Sequence, residues 1–265
     1  MFYIGRPDID DSLNLARALR RGRARAIQAH FDDLIEQYAA YERARTELWK
    51  FQALDLDEDA SDLIRNLFDR MDPGGGLFAT RTSLLGRARI CPYCRISEPF
   101  QLDHFLPKES FPELAIYSQN LVPVCARCNG LKGANTSAQF VHSYYDNLPR
   151  EQYLVADIEL HPGAVQAIFR IDTSGMTRPL ATKVINHFNS LLLSERYEMQ
   201  AAERIDAYAE AFAVTFPLDG VAGVKEDLRT LRRMAEGLGP NYWEVVLISA
   251  LLDTPEYLNG GFRGL

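Results

Sequence analysis

The sequence has no long hydrophobic segment, and this absence excludes one class of protein. Its longest apolar run, Val245 to Leu252, has eight residues and includes Ser249, whereas a membrane-spanning helix needs roughly 18. The N-terminal stretch MFYIGRPDIDD lacks a basic start followed by an apolar segment, which is the pattern of a secretory signal. We therefore expect a protein without a membrane-spanning helix, located in the cytoplasm.

The chain also lacks internal repeats, low-complexity tracts and an overall excess of positive charge. Its 265 residues are 47% hydrophobic and 25% charged, which excludes a disordered or fibrous protein and leaves room for one or two domains. The net charge is −7, but residues 81–150 carry eight basic and five acidic side chains. Screening limits charge interactions to about 10 Å, so a local basic region is sufficient to bind phosphate. Global acidity therefore weakens a nucleic-acid function without excluding it.

Cysteine is scarce, and its few positions are informative. The four cysteines form two CxxC pairs, Cys91/Cys94 and Cys125/Cys128, with 30 residues between the pairs. Such pairs are typical of a tetrahedral four-cysteine zinc site, in which each tight turn contributes two thiolates. The alternative is a set of buried or redox-active thiols. A disulfide framework does not suit a chain of this length without a secretory signal.

Apolar periodicity predicts an α+β chain that is mostly helical. Residues 1–76 are predicted to be an N-terminal helical region, with a further short helix that runs to about Met71. The run from Asp72 to Gly76 contains a proline and three glycines, so we place a boundary there. The apolar residues at helical spacing in this region are Ile27, Phe31, Leu34 and Tyr38.

The two cysteine pairs fall in the central region, residues 81–150, and a third region, 151–265, follows. Two short strands are predicted at Tyr153–Leu160 and Ala167–Ile171, and helices are predicted for the remainder. The expected plan is a small metal-centred unit held between helical regions.

Polar residues suited to catalysis lie within the zinc frame. Asp103 and His104 stand between the two cysteine pairs, and Asn129 directly follows the last cysteine. Asp is a hard oxygen ligand suited to magnesium or manganese, and His can take a proton near neutral pH. The amide of Asn129 is a second oxygen donor, whose position is restricted by its neighbour Cys128. This combination is that of a one-metal phosphodiester-cleaving site, whereas an isolated Asp-His pair would indicate only a solvated turn.

Three stretches carry a resemblance to a known family: CPYC, LDHFLP and NLVPVCARCNGLKG. Over roughly residues 90–135 the chain resembles the HNH nucleases, the ββα-metal family, in the subgroup with a four-cysteine zinc site. One position departs from the common pattern, since Asn129 stands where many members have His. Asn is a known variant at this position in the family.

The resemblance implies a β-hairpin followed by a helix. Asp103 and His104 would lie on the first strand, Asn120 would lie near the second strand, and the helix would open at Cys125. His104 would be the general base that activates water, and Asp103 with Asn129 would hold one Mg²⁺ or Mn²⁺ ion against the scissile phosphate. Asn120 would tie a loop so that His104 keeps its orientation.

Other basic residues are weaker candidates. Lys108 and Lys132 lie near the motif, where they would either hold flanking phosphates or be solvated surface residues. Five arginines occur within nine residues, and such a cluster would either grip a nucleic-acid backbone or pair with the acidic 55–72 stretch. These arginines are Arg17, Arg20, Arg21, Arg23 and Arg25.

The remaining histidines and aromatic residues are expected to be structural. His142 could approach the site from after the helix, but a packing or capping role is the safer interpretation. The other side chains expected to be structural are His30, His161, His187, Tyr144 and Tyr145.

The leading functional hypothesis is a metal-dependent endonuclease that acts on nucleic acid, DNA rather than RNA. The stretch DHFLPKESFPE before NLVPVC also resembles HNH proteins of bacterial anti-phage systems, which implies a regulatory ATPase or sensor partner. Two alternatives remain open: a catalytically inactive zinc-ribbon module that binds nucleic acid or a protein, and a structural subunit whose helical flanks form oligomers. The sequence does not distinguish single from double strands, or nicking from double-strand cleavage.

Overall fold

Helices account for most of the chain, with two small two-stranded sheets between them, as the sequence predicted. The computed structural model of the protein describes residues 1–20, 22–134 and 140–263. The α-helices in these residues are α1 Asp11–Leu19, α2 Phe31–Ala44, α3 Glu58–Arg65, α4 Phe78–Leu85, α5 Ala126–Lys132, α6 Arg178–Ser190, α7 Leu193–Ala235, α8 Trp243–Leu252 and α9 Pro255–Leu258. The strands are β1 Gln101–His104, β2 Leu121–Val124, β3 Leu154–His161 and β4 Ala164–Ile171. Short 3-10 helices span Gly22–His30, Leu48–Lys50, Asn66–Met71, Pro112–Leu114, Ser118–Asn120, Glu236–Leu238 and Gly261–Arg263.

The chain divides into two compact units, Met1–Asn147 and Leu148–Leu265. The first unit contains the predicted N-terminal helical region and the predicted central region up to residue 147. The division between the units lies three residues before the predicted start of the C-terminal region at 151. The further boundary expected after residue 76 stays a prediction.

Local capping explains where the first helices begin. Asp10 Oδ1 accepts a hydrogen bond from the Leu13 N–H at 2.9 Å, and this bond caps α1. Asp57 Oδ1 accepts one from the Ala60 N–H at 2.7 Å at the start of α3. Each bond satisfies a backbone donor that the first turn of a helix leaves without an intrahelical partner.

The first unit has its core around β1, β2 and α2. The two strands pair antiparallel, with Asp103 opposite Val122 and His104 opposite Leu121. Every residue of β2 is buried, so this short sheet is covered on both faces rather than exposed on one. From α2, Tyr41 packs edge-on against Tyr117, with 5.3 Å between the ring centroids. The strand ends that carry polar side chains are therefore supported from behind by an aromatic core.

The second unit consists of the β3–β4 hairpin and helices α6 to α9. Both strands fall where the sequence predicted them, to within a few residues, and pair antiparallel from Leu154–Ile171 to His161–Ala164. Helix α7 changes direction at Gly220, whose φ of +62° is a left-handed value that glycine adopts without steric cost. In the described parts of the chain, none of the helices combines the length and apolar character needed to cross a membrane.

Candidate active site

The four cysteines converge on one buried point. All four Sγ atoms lie within 4.8 Å of one another, and the Cys94 and Cys125 sulfurs are 3.8 Å apart. Thiolates bound tetrahedrally at a Zn–S distance of about 2.3 Å lie about 3.8 Å apart, whereas a disulfide requires about 2.05 Å. The four cysteines are unpaired by disulfides, so the donor set and its spacing fit zinc. The cluster could bind a zinc ion, and the predicted grouping of the cysteines is confirmed.

Contacts among these sulfurs perturb their acidity. Thiol hydrogen bonds, first from Cys128 and then from Cys91, lower the pKa of Cys125 to about 6. Hydrogen bonds from Cys125 first, and then from Cys128 and Cys91, lower the pKa of Cys94. The same contacts raise the pKa values of Cys91 and Cys128, so the four thiols titrate as one coupled cluster, and the ionised thiolate is the form that binds metal.

A cleft of about 520 Å³ lies beside the cysteine cluster. Asp103, His104 and Asn129 all line it, although they come from β1 and α5. Lys108 and Phe68 also contribute to its wall. The structure therefore brings three of the four predicted site residues to one cavity, and Asn120 lies behind it.

The geometry of His104 identifies which of its nitrogens can accept a proton. Its Nε2 atom lies 2.9 Å from the carbonyl oxygen of Ala115. A carbonyl oxygen only accepts, so Nε2 carries the hydrogen and the lone pair is on Nδ1. The Phe68 ring packs against the imidazole, with 4.6 Å between the centroids. Burial, assisted by the charges of Lys108 and Lys132, lowers the pKa of His104 to about 4, so the ring is neutral at neutral pH.

Asp103 has two buried partners. Its Oδ1 accepts a hydrogen bond from Lys132 Nζ at 3.0 Å, and the side chains of this ion pair are 3% and 1% exposed. Its Oδ2 accepts one from the Tyr93 hydroxyl at 2.8 Å. The Lys132 ammonium also donates to the carbonyl oxygen of His104 at 2.8 Å. Each carboxylate oxygen has two acceptor positions, so Asp103 retains capacity for a cation that would share it with Lys132.

The amide of Asn129 is oriented by a neighbouring strand. Its Nδ2 donates to the Oε1 of Gln101 at 2.9 Å. Within the described residues Oδ1 accepts no hydrogen bond, which leaves this oxygen as a donor atom for a cation. Asn129 thus lines the cleft with its Nδ2 held by Gln101, and its role as a metal ligand stays a prediction.

Asn120 joins the loop between β1 and β2. It is fully buried, and its Oδ1 accepts from the Leu106 N–H at 2.8 Å. Its Nδ2 donates to the carbonyl oxygens of Leu106 at 3.0 Å and Leu114 at 3.4 Å. Leu114 precedes Ala115, whose carbonyl oxygen binds His104. The loop that orients the histidine is therefore held at both ends by one amide.

A network from outside the motif supports Asn120. The Tyr41 hydroxyl donates to Asn120 Oδ1 at 3.3 Å and lies 3.0 Å from His142 Nε2. The backbone N–H of Tyr144 donates to His142 Nδ1 at 3.2 Å, so Nε2 carries the hydrogen and donates to Tyr41. His142 is 1% exposed and, as expected, is a packing residue.

The basic candidates lie in different environments. Lys108 lies over the Phe68 ring, with its Nζ 5.0 Å from the centroid, beside the cleft. Lys132 is buried against Asp103, so the alternative of a solvated surface residue was wrong, and contact with a flanking phosphate stays a prediction. No sequence pattern indicated this burial, because the partners of Lys132, the Asp103 carboxylate and the His104 carbonyl oxygen, are far from it along the chain.

The arginine cluster does not pair with the acidic stretch 55–72 where the structure describes it. Arg21 and the side chain of Arg23 lie outside the described residues. In the described part of the chain, Arg17, Arg20 and Arg25 form no ion pair with these acids, and Asp62 instead pairs with Arg65.

The other histidines and tyrosines have structural contacts. His30 lies 3.7 Å from Asp33, and His161 lies 3.4 Å from Glu159. His187 is fully buried. The hydroxyl groups of Tyr144 and Tyr145 donate to the Leu121 carbonyl and the Glu42 carboxylate, respectively.

Sequence reasoning missed Tyr93, Phe68 and Tyr41 as parts of the site. Tyr93 lies inside the first cysteine pair, so the CPYC stretch was a signal that could have suggested a residue held near Asp103. Phe68 and Tyr41 belong to the N-terminal helical region and carried no comparable signal.

Comparisons with known proteins give two similarities. No protein-family profile matches the chain, and no solved structure matches it. The chain is 26% identical to Protein ea31 of Escherichia phage lambda over 199 residues, which cover 67% of this chain and 66% of that protein. It is 42% identical to Septu protein PtuB of Bacillus thuringiensis over 52 residues, which cover 18% of this chain and 20% of that protein. The chain thus spans just under two thirds of the first relative and one fifth of the second.

Proposed function

We propose that the chain is a metal-dependent HNH endonuclease that hydrolyses phosphodiester bonds of nucleic acid, DNA rather than RNA. The observation that carries this proposal is that His104, Asp103 and Asn129 line one cleft. His104 is neutral there and can accept a proton at Nδ1, while Asp103 and Asn129 supply oxygen atoms. In this proposal β1, β2 and α5 form the ββα-metal unit.

His104 acts as the general base. Its Nδ1 takes a proton from the water that attacks phosphorus, while the bond from Nε2 to the Ala115 carbonyl stabilises the imidazolium that forms. Asn120 acts as a positioning residue, because it holds the loop that presents this carbonyl.

Asp103 and Asn129 would hold the catalytic Mg²⁺ or Mn²⁺. A cation bound there would supply charge stabilisation for the phosphate in the transition state. Lys132 neutralises Asp103 from beneath the cleft surface. The four cysteines would hold a structural zinc ion that joins the first turn to the start of α5.

The setting we propose is bacterial anti-phage defence, with a regulatory ATPase or sensor protein as partner. The short similarity to Septu protein PtuB supports the defence assignment. The resemblance of the motif to HNH proteins of such systems supports the partner.

The proposal is tested by replacing the base. His104→Ala is expected to lower the cleavage rate by about 10² to 10⁴-fold, because a general base is lost, while nucleic-acid binding persists. The assay uses plasmid, linear and single-stranded DNA and RNA with magnesium, manganese or neither, with binding followed by gel shift. His161→Ala is the matched control, since that histidine lies at the end of β3 and is half exposed. Full activity of His104→Ala would contradict the mechanism.

The ligands are distinguished from the base by metal dependence. Asn129→Ala should lose activity that raised magnesium or manganese partly restores, and His104→Ala should not respond. Asp103→Asn is a better variant than Asp103→Ala, because its amide oxygen can still accept a hydrogen bond from the buried Lys132 ammonium, although both substitutions remove the negative charge. Equal metal responses in the His104 and Asn129 variants would remove the assignment of ligands.

The second candidate function is a catalytically inactive zinc module that binds nucleic acid or a protein. The buried Asp103–Lys132 pair favours it, since the ammonium already satisfies the carboxylate. Binding that is unaffected by His104→Ala, with no cleavage by the unaltered chain under any metal condition, would support this candidate.

A further inference from the structure

The first unit has a second concave site, which we call the arginine pocket. It has a volume of about 400 Å³ and is lined by Arg17, Arg20, Arg70 and the glycine run Gly74–Gly76, together with Ala18 and Leu77. None of these lining residues is acidic. Arg17 and Arg20 lie at the C-terminal end of α1, and Arg70 lies in the 3-10 helix Asn66–Met71. The fold thus adds a third guanidinium to two that are close in sequence.

The backbone of the glycine run packs closely against the backbone of Arg70. The Leu77 N–H donates to the Arg70 carbonyl oxygen at 2.8 Å, and the Gly75 N–H donates to the Asp72 carbonyl oxygen at 2.8 Å. A Cβ atom on Gly75 would overlap the Arg70 carbonyl group, whereas one on Gly76 would have no atom within 4 Å. The wall opposite α1 is therefore bare backbone, the kind of surface that approaches phosphate groups closely.

The two positive charges that α1 contributes to the pocket are not neutralised by ion pairs within the described residues. Arg17 and Arg20 are both exposed, and among the described residues neither forms an ion pair. Asp57, in the acidic stretch, instead caps α3. The exposed guanidinium groups of Arg17 and Arg20 are therefore accessible to an anion, and guanidinium groups match phosphate oxygens in bidentate geometry.

We propose that the arginine pocket binds a phosphate group, and that this group belongs to the nucleic-acid backbone outside the cleavage cleft. The second part rests on the proposed nuclease function. Phe68 lines the cleft and Arg70 lines the pocket, and they are two residues apart, so their Cα atoms are separated by at most about 7 Å. The cleft and the pocket thus share the 3-10 helix Asn66–Met71 as part of their walls.

The test compares two charge-matched double variants of the full chain. Both carry His104→Ala, so that the nucleic acid stays intact. Arg17→Ala with Arg20→Ala removes the pocket charges, and Arg25→Ala with Arg43→Ala removes two exposed arginines that do not line it. Binding of labelled single-stranded and duplex oligonucleotides is followed by fluorescence anisotropy from about 50 to about 200 mM salt.

We expect the pocket variant to bind about tenfold more weakly near 100 mM salt and to lower the slope of log K against log salt by about 1, as for one lost phosphate contact. The control variant should retain the slope. An unchanged slope and affinity in the pocket variant would overturn the proposal and leave the nuclease assignment standing.

Titration with inorganic phosphate and pyrophosphate, followed by calorimetry, separates the sources of the phosphate. One outcome is that the chain binds pyrophosphate but no nucleic acid, and that the pocket variant no longer binds pyrophosphate. This result would support the phosphate site. It would overturn both the assignment of that phosphate to a nucleic-acid backbone and the nuclease function. A chain that binds neither phosphate compounds nor nucleic acid would overturn the pocket altogether.

Discussion

The carboxyl group of Glu113 lies outside the cleft and is buried, with 1% of the residue exposed. Its Oε1 accepts a hydrogen bond from the Leu54 N–H at 3.1 Å, while Oε2 has no partner among the described residues. Burial raises the pKa of Glu113 from 4.5 to about 6, because the charged form is poorly solvated there.

This pKa gives stability a defined pH dependence. The folded state holds the Glu113 proton more tightly than the unfolded state, so stability is greatest below pH 4.5 and falls as pH rises to about 6. The rise in pKa from 4.5 to about 6 corresponds to about 2 kcal/mol. Glu113→Gln keeps the acceptor oxygen and cannot ionise. We expect its free energy of unfolding, relative to the unaltered chain, to increase by about 2 kcal/mol between pH 4.5 and 7.5.

Urea unfolding at the two pH values measures this difference. Glu98→Gln is the matched control, because Glu98 is exposed, and it should show no such gain. A parallel pH dependence in Glu113→Gln and the unaltered chain would show that Glu113 does not carry the effect.

At the scale of elements, the loop between the 3-10 helix Asn66–Met71 and α4 depends on one glycine. A side chain at Gly75 would overlap the backbone of Arg70, and backbone atoms cannot rotate away as a side chain can. We expect Gly75→Ala to lower the free energy of unfolding by about 1–3 kcal/mol, as overpacking does.

Gly76→Ala is the control for this loop, because a Cβ atom there would meet open space. It should change the free energy of unfolding little, as measured by urea denaturation of both variants. Equal destabilisation by the two substitutions would show that contact with the Arg70 backbone is not the cause.

At the scale of the whole molecule, the cysteines all lie in the first of the two units. Thiolate–zinc binding supplies folding energy directly, so zinc removal should unfold the first unit. The second unit, which contains β3, β4 and α6 to α9, has a core without cysteine and should remain folded. Chelation, or Cys94→Ser, is therefore expected to produce partial rather than complete loss of helix in circular dichroism.

The two tryptophans allow this prediction to be followed by unit. Trp243 is 4% exposed in the second unit, and in a Trp49→Phe chain it is the sole tryptophan. Its emission should stay blue-shifted after chelation while part of the circular dichroism signal disappears. A red shift of Trp243 on zinc removal would show that the two units unfold together, and elemental analysis of folded protein without zinc would contradict the metal assignment.

The sequence alone determined the features that depend on local pattern. Apolar spacing predicted the helical regions and the β3 and β4 strands, because burial of one face imposes a period of 3.6 or 2 residues on the chain itself. The two CxxC pairs predicted a common cysteine cluster, since each pair already defines half of a tetrahedral site. Asp103, His104 and Asn129 were proposed together because they lie within or beside that frame, and their catalytic roles stay predictions.

The tertiary structure decided which distant groups surround these residues. Lys132 was expected near phosphate or solvent, yet it is buried with Asp103 because α5 folds back onto β1. Tyr41 reaches Asn120 from α2, 79 residues away along the chain, and Arg70 completes a pocket begun by Arg17 and Arg20. Hydrogen bonds and ion pairs act over a few ångströms of space, and separation along the chain does not specify that distance. Such partners therefore follow only from the packing of the elements.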